Sequence, residues 1–161
     1  MAFLGYLVKI MNTQADLAAY NGQQTVLRLA DATDATGGTF FYYGIGYTVD
    51  NGIVFAATGK GGGYWVRQFG GDILPQWFGI KNDGTLISQV NLNRWLGACV
   101  RFNKPVHFLA GTYYFPQTFE YNFGSFDLLI TGEKDKTIIT TNDGTAALNF
   151  SVPKKLDITK S

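Results

Sequence analysis

The chain has 161 residues with a net charge of +1, and only 16% of them are charged while another 16% are aromatic. That balance excludes a disordered chain, a basic nucleic-acid binder and a polybasic membrane surface. One cysteine (Cys99) and one histidine (His107) exclude a disulfide framework and the usual cysteine- or histidine-rich metal sites, and no apolar run approaches the ~20 residues of a membrane span.

Met1 to Ile10 is apolar but lacks the basic start and small-residue cleavage site of a signal peptide. Phe3, Leu4, Tyr6, Leu7, Val8 and Ile10 have no place in the strand pattern that follows. Residues 1–11 are therefore expected outside the compact domain, as a segment that touches a partner. Thr13 is the expected N-cap of a short helix, with Asp16 three residues on. Asn21-Gly22 is expected to end it through positive φ. Four apolar runs follow, Thr25 to Ala30, Thr39 to Tyr43, Ile53 to Ala57 and Tyr64 to Phe69, each bounded by turn residues. Asp50-Asn51-Gly52 reads as a two-residue hairpin turn. Residues 12–72 are thus expected to form a small antiparallel β-domain with one short helix.

Pro75 to Thr85 reads as an apolar strand running into an Asn82-Asp83-Gly84 turn. Leu92, Trp95, Leu96, Cys99 and Val100 then recur at helical spacing, with Ser88 or Asn91 as caps and Pro105 beyond the end. Lys104 to Phe115 reads as two short strands around Ala110-Gly111, and Leu128 to Gly132, Thr137 to Thr141 and Leu148 to Val152 as three more. Short strands at this spacing suit a sandwich, a barrel or a β-solenoid.

The run from Pro75-Gln76-Trp77-Phe78-Gly79 to Asp83-Gly84, the helix, Phe108-Leu109-Ala110-Gly111-Thr112-Tyr113, and Ile130-Thr131-Gly132-Glu133 resembles a family in that order. It is similar to the opening of pectate-lyase-like right-handed β-helices, in the version found in bacteriophage tailspikes. The chain departs from that pattern at Leu109, where the family usually has proline, and at Thr85-Leu86-Ile87-Ser88. Thr13 to Leu17, Gly37 to Tyr42, Asp50 to Val54 and Gly63 to Arg67 resemble the part of those tailspikes that precedes the β-helix.

The resemblance implies a mainly β protein: a small antiparallel β-domain, then the helix-capped first coils of a right-handed parallel β-helix over residues 73–161. Trp77, Phe78, Trp95 and Leu96 would form the cap. It also implies a homotrimer located in the virion, bound to a phage tail or neck protein. Bacterial polysaccharide would be met by a C-terminal part beyond Ser161, where the parent's depolymerase activity would lie.

The residues themselves offer no catalytic set. Asp31, Asp34, Asp50, Asp83 and Asp143 sit in turns that explain them by local hydrogen bonding. Glu133 and Asp135 read as a solvated charged loop, and Gly59 to Gly63 as a flexible hairpin loop that lacks the P-loop pattern. His107 has no serine elbow to serve, and Cys99 lies on the apolar helix face. Tyr42, Tyr43, Tyr47, Tyr64, Trp65, Tyr113, Tyr114, Tyr121 and Phe123 suit packing or an interface, with sugar stacking as the functional alternative. The expectation is a structural anchoring protein without cofactor. A polysaccharide depolymerase and a carbohydrate-binding module are the alternatives.

Overall fold

The computed structural model describes residues 8–30, 36–115, 119–122, 129–141 and 148–151. The chain divides into two units, Met1–Gly70 and Gly71–Ser161.

The first unit is built on a five-stranded sheet: β1 (Lys9–Met11), β2 (Val26–Leu29), β3 (Gly38–Tyr43), β4 (Val54–Ala56) and β5 (Tyr64–Arg67), in the order β1-β2-β3-β5-β4. Every pairing is antiparallel except β1 on β2. The sheet therefore starts three residues before the expected boundary at residue 12. Lys9–Met11 is an edge strand of the domain, because alternation turns Met11 into the core, where it is 6% exposed. Val8 and Ile10 remain exposed.

Helix α1 (Gln14–Ala19) carries a full capping box. The Asp16 N–H donates to Thr13 Oγ1 and the Thr13 N–H donates to Asp16 Oδ2, both at 3.0 Å. The helix stops when Tyr20 turns extended, with ψ 123°. Neither Asn21 nor Gly22 takes a positive φ. Gly22 serves close approach instead, since a Cβ there would overlap the Tyr20 hydroxyl. Leu17 from the helix joins Leu27, Leu29, Phe40, Phe55 and Trp65 in the core.

The Asp50-Asn51-Gly52 turn also differs from expectation. No strand precedes it, so there is no two-residue hairpin. Asp50 is buried, and its Oδ1 accepts from the N–H groups of Gly52, Ile53 and Val54 at 2.7–2.9 Å. Asn51 supplies the positive φ. One carboxylate oxygen thus organises the start of β4.

In the second unit Pro75–Phe78 is a 3₁₀ turn rather than a strand. Pro75 presets φ at the first position and Gly79 closes the turn in the left-handed region. Asp83–Leu86 is β6 rather than a turn, with an irregular register in which Gly84 absorbs φ 84°. Helix α2 (Gln89–Arg101) follows, with Ser88 at the N-cap position but making no side-chain cap bond. It ends before Asn103, which takes φ 51°.

The remaining strands are β7 (Val106–Phe108), β8 (Gly111–Phe115), β9 (Phe119–Asn122), β10 (Ile130–Gly132), β11 (Thr137–Thr141) and β12 (Leu148–Ser151). Each strand of the first three pairs in parallel with the third strand after it. Val106 faces Ile130, Gly111 faces Thr137 and Phe119 faces Leu148, separations of 24, 26 and 29 residues. β6 adds to the other side of β8. A near-constant offset between successive parallel partners is the register of stacked rungs. The unit is thus mainly β with a single α-helix among the described residues, and its parallel ladder agrees with a β-helix type of fold.

Candidate functional site

Two groups of residues were expected to act, and the structure places them separately. Of the expected partner-contact residues, Phe3, Leu4, Tyr6 and Leu7 lie outside the described residues. Val8 and Ile10 flank and occupy β1, 43% and 60% exposed. Alternation puts both on the sheet face opposite Met11, so these two apolar side chains belong to a sheet rather than to a free peptide.

Trp77, Phe78, Trp95 and Leu96 are all buried in the second unit. Helix α2 sends Leu92, Trp95, Leu96, Ala98 and Cys99 inward on one face, the stripe legible in the sequence. Trp95 Nε1 donates to the Ile73 carbonyl at 2.7 Å, so its polar atom is satisfied inside the core. Its ring meets Phe108 edge-on at 5.0 Å, and Phe108 meets Tyr113 edge-on at 4.9 Å. One aromatic row therefore joins the helix to β7 and β8.

The corner between β7 and β8 is held by polar groups, among them Glu133, which the sequence places in a solvated loop. Glu133 is half-buried, and its Oε1 accepts from the Ala110 N–H at 3.1 Å. The Glu133 N–H donates to Thr137 Oγ1 at 2.9 Å, and that hydroxyl also meets the Phe108 and Leu109 carbonyls at 3.1 Å. Asn82 Nδ2 donates to the Ala110 carbonyl at 2.6 Å, and its backbone carbonyl accepts from the Thr112 N–H. Gly111 is required there, because its φ is 134° and a Cβ would run into Asn82. Glu133 is thus a clamp between rungs, not a solvated loop residue, whereas Asp135, at φ 58°, is exposed in turn geometry.

The other chemistry-bearing groups are absorbed in the same way. The Asp83 carboxyl is held below its ordinary range by the Thr85 side chain, then by the Thr85 N–H that donates to it at 2.9 Å. His107 Nδ1 lies 2.7 Å from Thr131 Oγ1 on the facing strand. Asp31, Asp34 and Asp143 lie outside the described residues. Among the described residues no group of three or more metal-ligating side chains could hold a metal ion, and no helix is long and apolar enough to cross a membrane.

The glycine-rich stretch around Lys60 is a pinned 3₁₀ turn over Thr58–Lys60, not a flexible loop. Lys60 Nζ donates to the Gly22 carbonyl at 2.7 Å and sits 5.0 Å from the Tyr42 ring and 5.6 Å from the rings of Tyr20 and Trp65. Tyr42 and Trp65 are therefore packing residues around a cation. Tyr43, Tyr47 and Tyr64 form a separate, more open cluster, with centroids 5.0 and 6.2 Å apart.

Burial, and then the charge of Asp72, push the Cys99 thiol up to about 12. The folded state thus favours the neutral thiol over the unfolded chain, whose thiol keeps its ordinary value of 9.0. This contribution to stability is full below pH ~9 and is lost as pH rises toward the folded value. We expect Cys99 to resist a thiol reagent at pH 8 and to react only on unfolding. Rapid labelling of the native chain would show that the helix face is open.

No family model matches the chain, and no curated protein matches it. Solved structures do. The glycan biofilm modifying enzyme WceF of Pantoea stewartii, described as having a bacteriophage tailspike-like parallel β-helix fold, matches 86% of this chain with 22% of its own, at TM-score 0.63 and 17% identity. The enzymatically active domain of tailspike protein 4 of bacteriophage CBA120 matches 91% of the chain with 20% of its own, at TM-score 0.56 and 16% identity. Full-length tailspike protein 2 of an Escherichia coli O157:H7 bacteriophage matches 96% with 25%, at TM-score 0.50 and 18% identity. The likeness is one of fold, and the chain spans a fifth to a quarter of the length of these proteins.

Proposed function

We propose that this chain is the particle-anchoring part of a phage tailspike, located in the virion tail and acting as a homotrimer bound to a tail or neck protein. The observation that carries the reading is the fold likeness to tailspike-type parallel β-helix proteins over most of the chain, each four to five times longer. In this reading Trp77, Phe78, Trp95 and Leu96 cap the first coil of a β-helix, covering its open end as proteins cover sheet edges. The whole protein depolymerises or binds a bacterial surface polysaccharide with later coils. The present segment has a mechanical task, since its described carboxylates serve turns and clamps rather than a paired acid and base. Three copies turn a weak apolar contact into a firm one.

The anchor itself is the apolar start of the chain. Because β1 and Met11 belong to the sheet, the segment 1–11 expected outside the compact domain is not separable from the fold. Removing residues 1–7 keeps Val8, β1 and Met11, and is expected to leave the melting temperature nearly unchanged while abolishing incorporation into virions. Removing residues 1–11 is expected to lower the melting temperature as well, through loss of an edge strand and a buried methionine. Normal virion occupancy of the 1–7 truncation would move the anchor elsewhere on the first unit.

Sedimentation at micromolar concentration is expected to give a trimer. A second reading, a carbohydrate-binding module, is favoured by the open Tyr43–Tyr47–Tyr64 cluster. A monomer that loses glycan binding on Tyr47→Ala would favour it over the anchor.

A further inference from the structure

The five-stranded sheet of the first unit is apolar on both faces. One face carries Leu27, Leu29, Phe40 and Trp65 into the core. On the other, alternation and register line up Val26, Phe41, Val66 and Val54 as one row across four strands, and Tyr43, Tyr64 and Ala56 as the next. Ile10, Arg28 and Thr39 form a third row. Of the residues in these rows Arg28 alone is charged. An antiparallel sheet with one face in water alternates apolar and polar residues, whereas near-continuous apolar strands belong to sheets covered on both faces.

Part of this outer face stands open. The large apolar side chains that the first unit exposes, among the described residues, are Val8, Ile10, Phe41, Tyr43, Ile45 and Val49, from 38% to 86% exposed. The first four belong to the face itself. Ile45 and Val49 lie in the loop that borders it, since Tyr47 between them sets its ring 5.0 Å from Tyr43 and 6.2 Å from Tyr64. With roughly 200 Å² per large side chain, these fractions leave roughly 600 Å² of apolar surface open, the upper end for a monomer's largest patch. That area meets the apolar share of a standard interface, which buries roughly 800 Å² per partner and is somewhat over half apolar.

The width and periodicity of the face select what covers it. Residues 1–7 precede β1 at one edge, but a seven-residue segment reaches at most ~25 Å and covers about one strand's width, too little for this face. Sheets pack on sheets face to face, with side chains interdigitating between strands of equal spacing. The same face of a second copy has the required width, spacing and apolar rows. The chain carries a net charge of only +1, so copies meet without strong repulsion. Tyr43, Tyr47 and Tyr64 supply the aromatic content typical of interface cores.

We propose that this outer sheet face is where copies of the chain meet, with Phe41 and Tyr43 on the central strand β3 as the middle of the contact. The number of copies rests on the homotrimer reading above, in which three such faces surround one axis. Val8 and Ile10 then pack between copies, and residues 1–7 start from the rim of that contact.

The test is hydroxyl-radical footprinting of the full chain at dilute and at associating concentrations, with sedimentation run on the same samples. Ile10, Phe41 and Tyr43 are expected to lose reactivity as the chain associates. Phe41→Glu and Tyr43→Glu are expected to weaken association by roughly tenfold or more, while amide exchange at Leu27 and Trp65 stays as in the native chain. Should a variant fail to fold, the footprint of the native chain decides alone. An associated chain whose Ile10, Phe41 and Tyr43 stay fully reactive would overturn this surface and leave the homotrimer standing. A chain that is monomeric at every concentration would overturn the homotrimer and this contact together. A monomer whose Tyr43, Tyr47 and Tyr64 are protected by an added glycan would assign the face to the sugar instead.

Discussion

Trp95→Ala is expected to cost about 3–5 kcal/mol, the range for deleting a large buried aromatic. The ring is fully buried, and it forms the first member of the row that runs through Phe108 to Tyr113. Its loss removes the apolar burial, an edge-on aromatic contact and the bond from Nε1 to the Ile73 carbonyl. That carbonyl then needs another donor in an apolar site, which adds to the cavity cost. Trp95→Phe separates the contributions, because it keeps most of the ring and removes the donor; about 1–3 kcal/mol is expected from the unpaired carbonyl and the lost volume. Urea midpoints read by hydrogen exchange on the amides of α2, β7 and β8 give the answer for this unit directly. A loss below ~1 kcal/mol for Trp95→Ala would mean that the helix face is not packed as described.

The features legible in the sequence are the ones decided locally. Thr13 and Asp16 announce a capping box because both bonds lie within one turn. The stripe Leu92, Trp95, Leu96 and Cys99 announces α2 because burial repeats at helical spacing. Strands β2 to β5 of the first unit are legible from apolar runs bounded by turn residues, to within a residue or two.

Most of what escaped was decided by distant partners. β1 exists because β2 lies beside it, and three residues of mixed character carry no strand signal of their own. Pro75–Phe78 has the composition of a strand, yet Pro75 and Gly79 fit a 3₁₀ turn closed in the left-handed region. Asn82-Asp83-Gly84 has turn chemistry but pairs with β8, which the sequence places some 30 residues on. Glu133 reads as loop because its acceptor role depends on the Ala110 N–H of the previous rung. The one available hint was Thr137, a β-branched hydroxyl four residues on, which can bond back to the loop. The fold likeness itself was legible through motif order, since short motifs of ordinary composition gain weight when several fall in sequence.

Arg67→Ala is expected to destabilise the first unit by about 3–5 kcal/mol, the scale of losing about two hydrogen bonds from a charged donor. Arg67 closes β5 and is 2% exposed. Its Nε donates to the Gly52 carbonyl at 2.9 Å, its Nη2 to the Thr36 carbonyl at 2.8 Å, and its Nη1 to the Gly37 carbonyl. The guanidinium also lies 4.6 Å from the Phe40 ring centroid. One side chain thus ties two loops to the sheet: the Asp50 loop through Gly52, and the start of β3 through Thr36 and Gly37. Gly38 is part of the same arrangement, since a Cβ there would overlap Nη1. Arg67→Lys keeps a charge but not the planar fork, so it can serve only part of the three carbonyls and is expected to recover less than half of the loss. Hydrogen exchange at residues 36–41 and 52–56 should rise in both variants before the sheet centre is affected, because these are the segments the fork holds. A lysine variant as stable as the native chain would show that charge alone suffices, and a loss below ~1 kcal/mol for Arg67→Ala would show that the loops are held by their own turns, with Asp50 as the organising group.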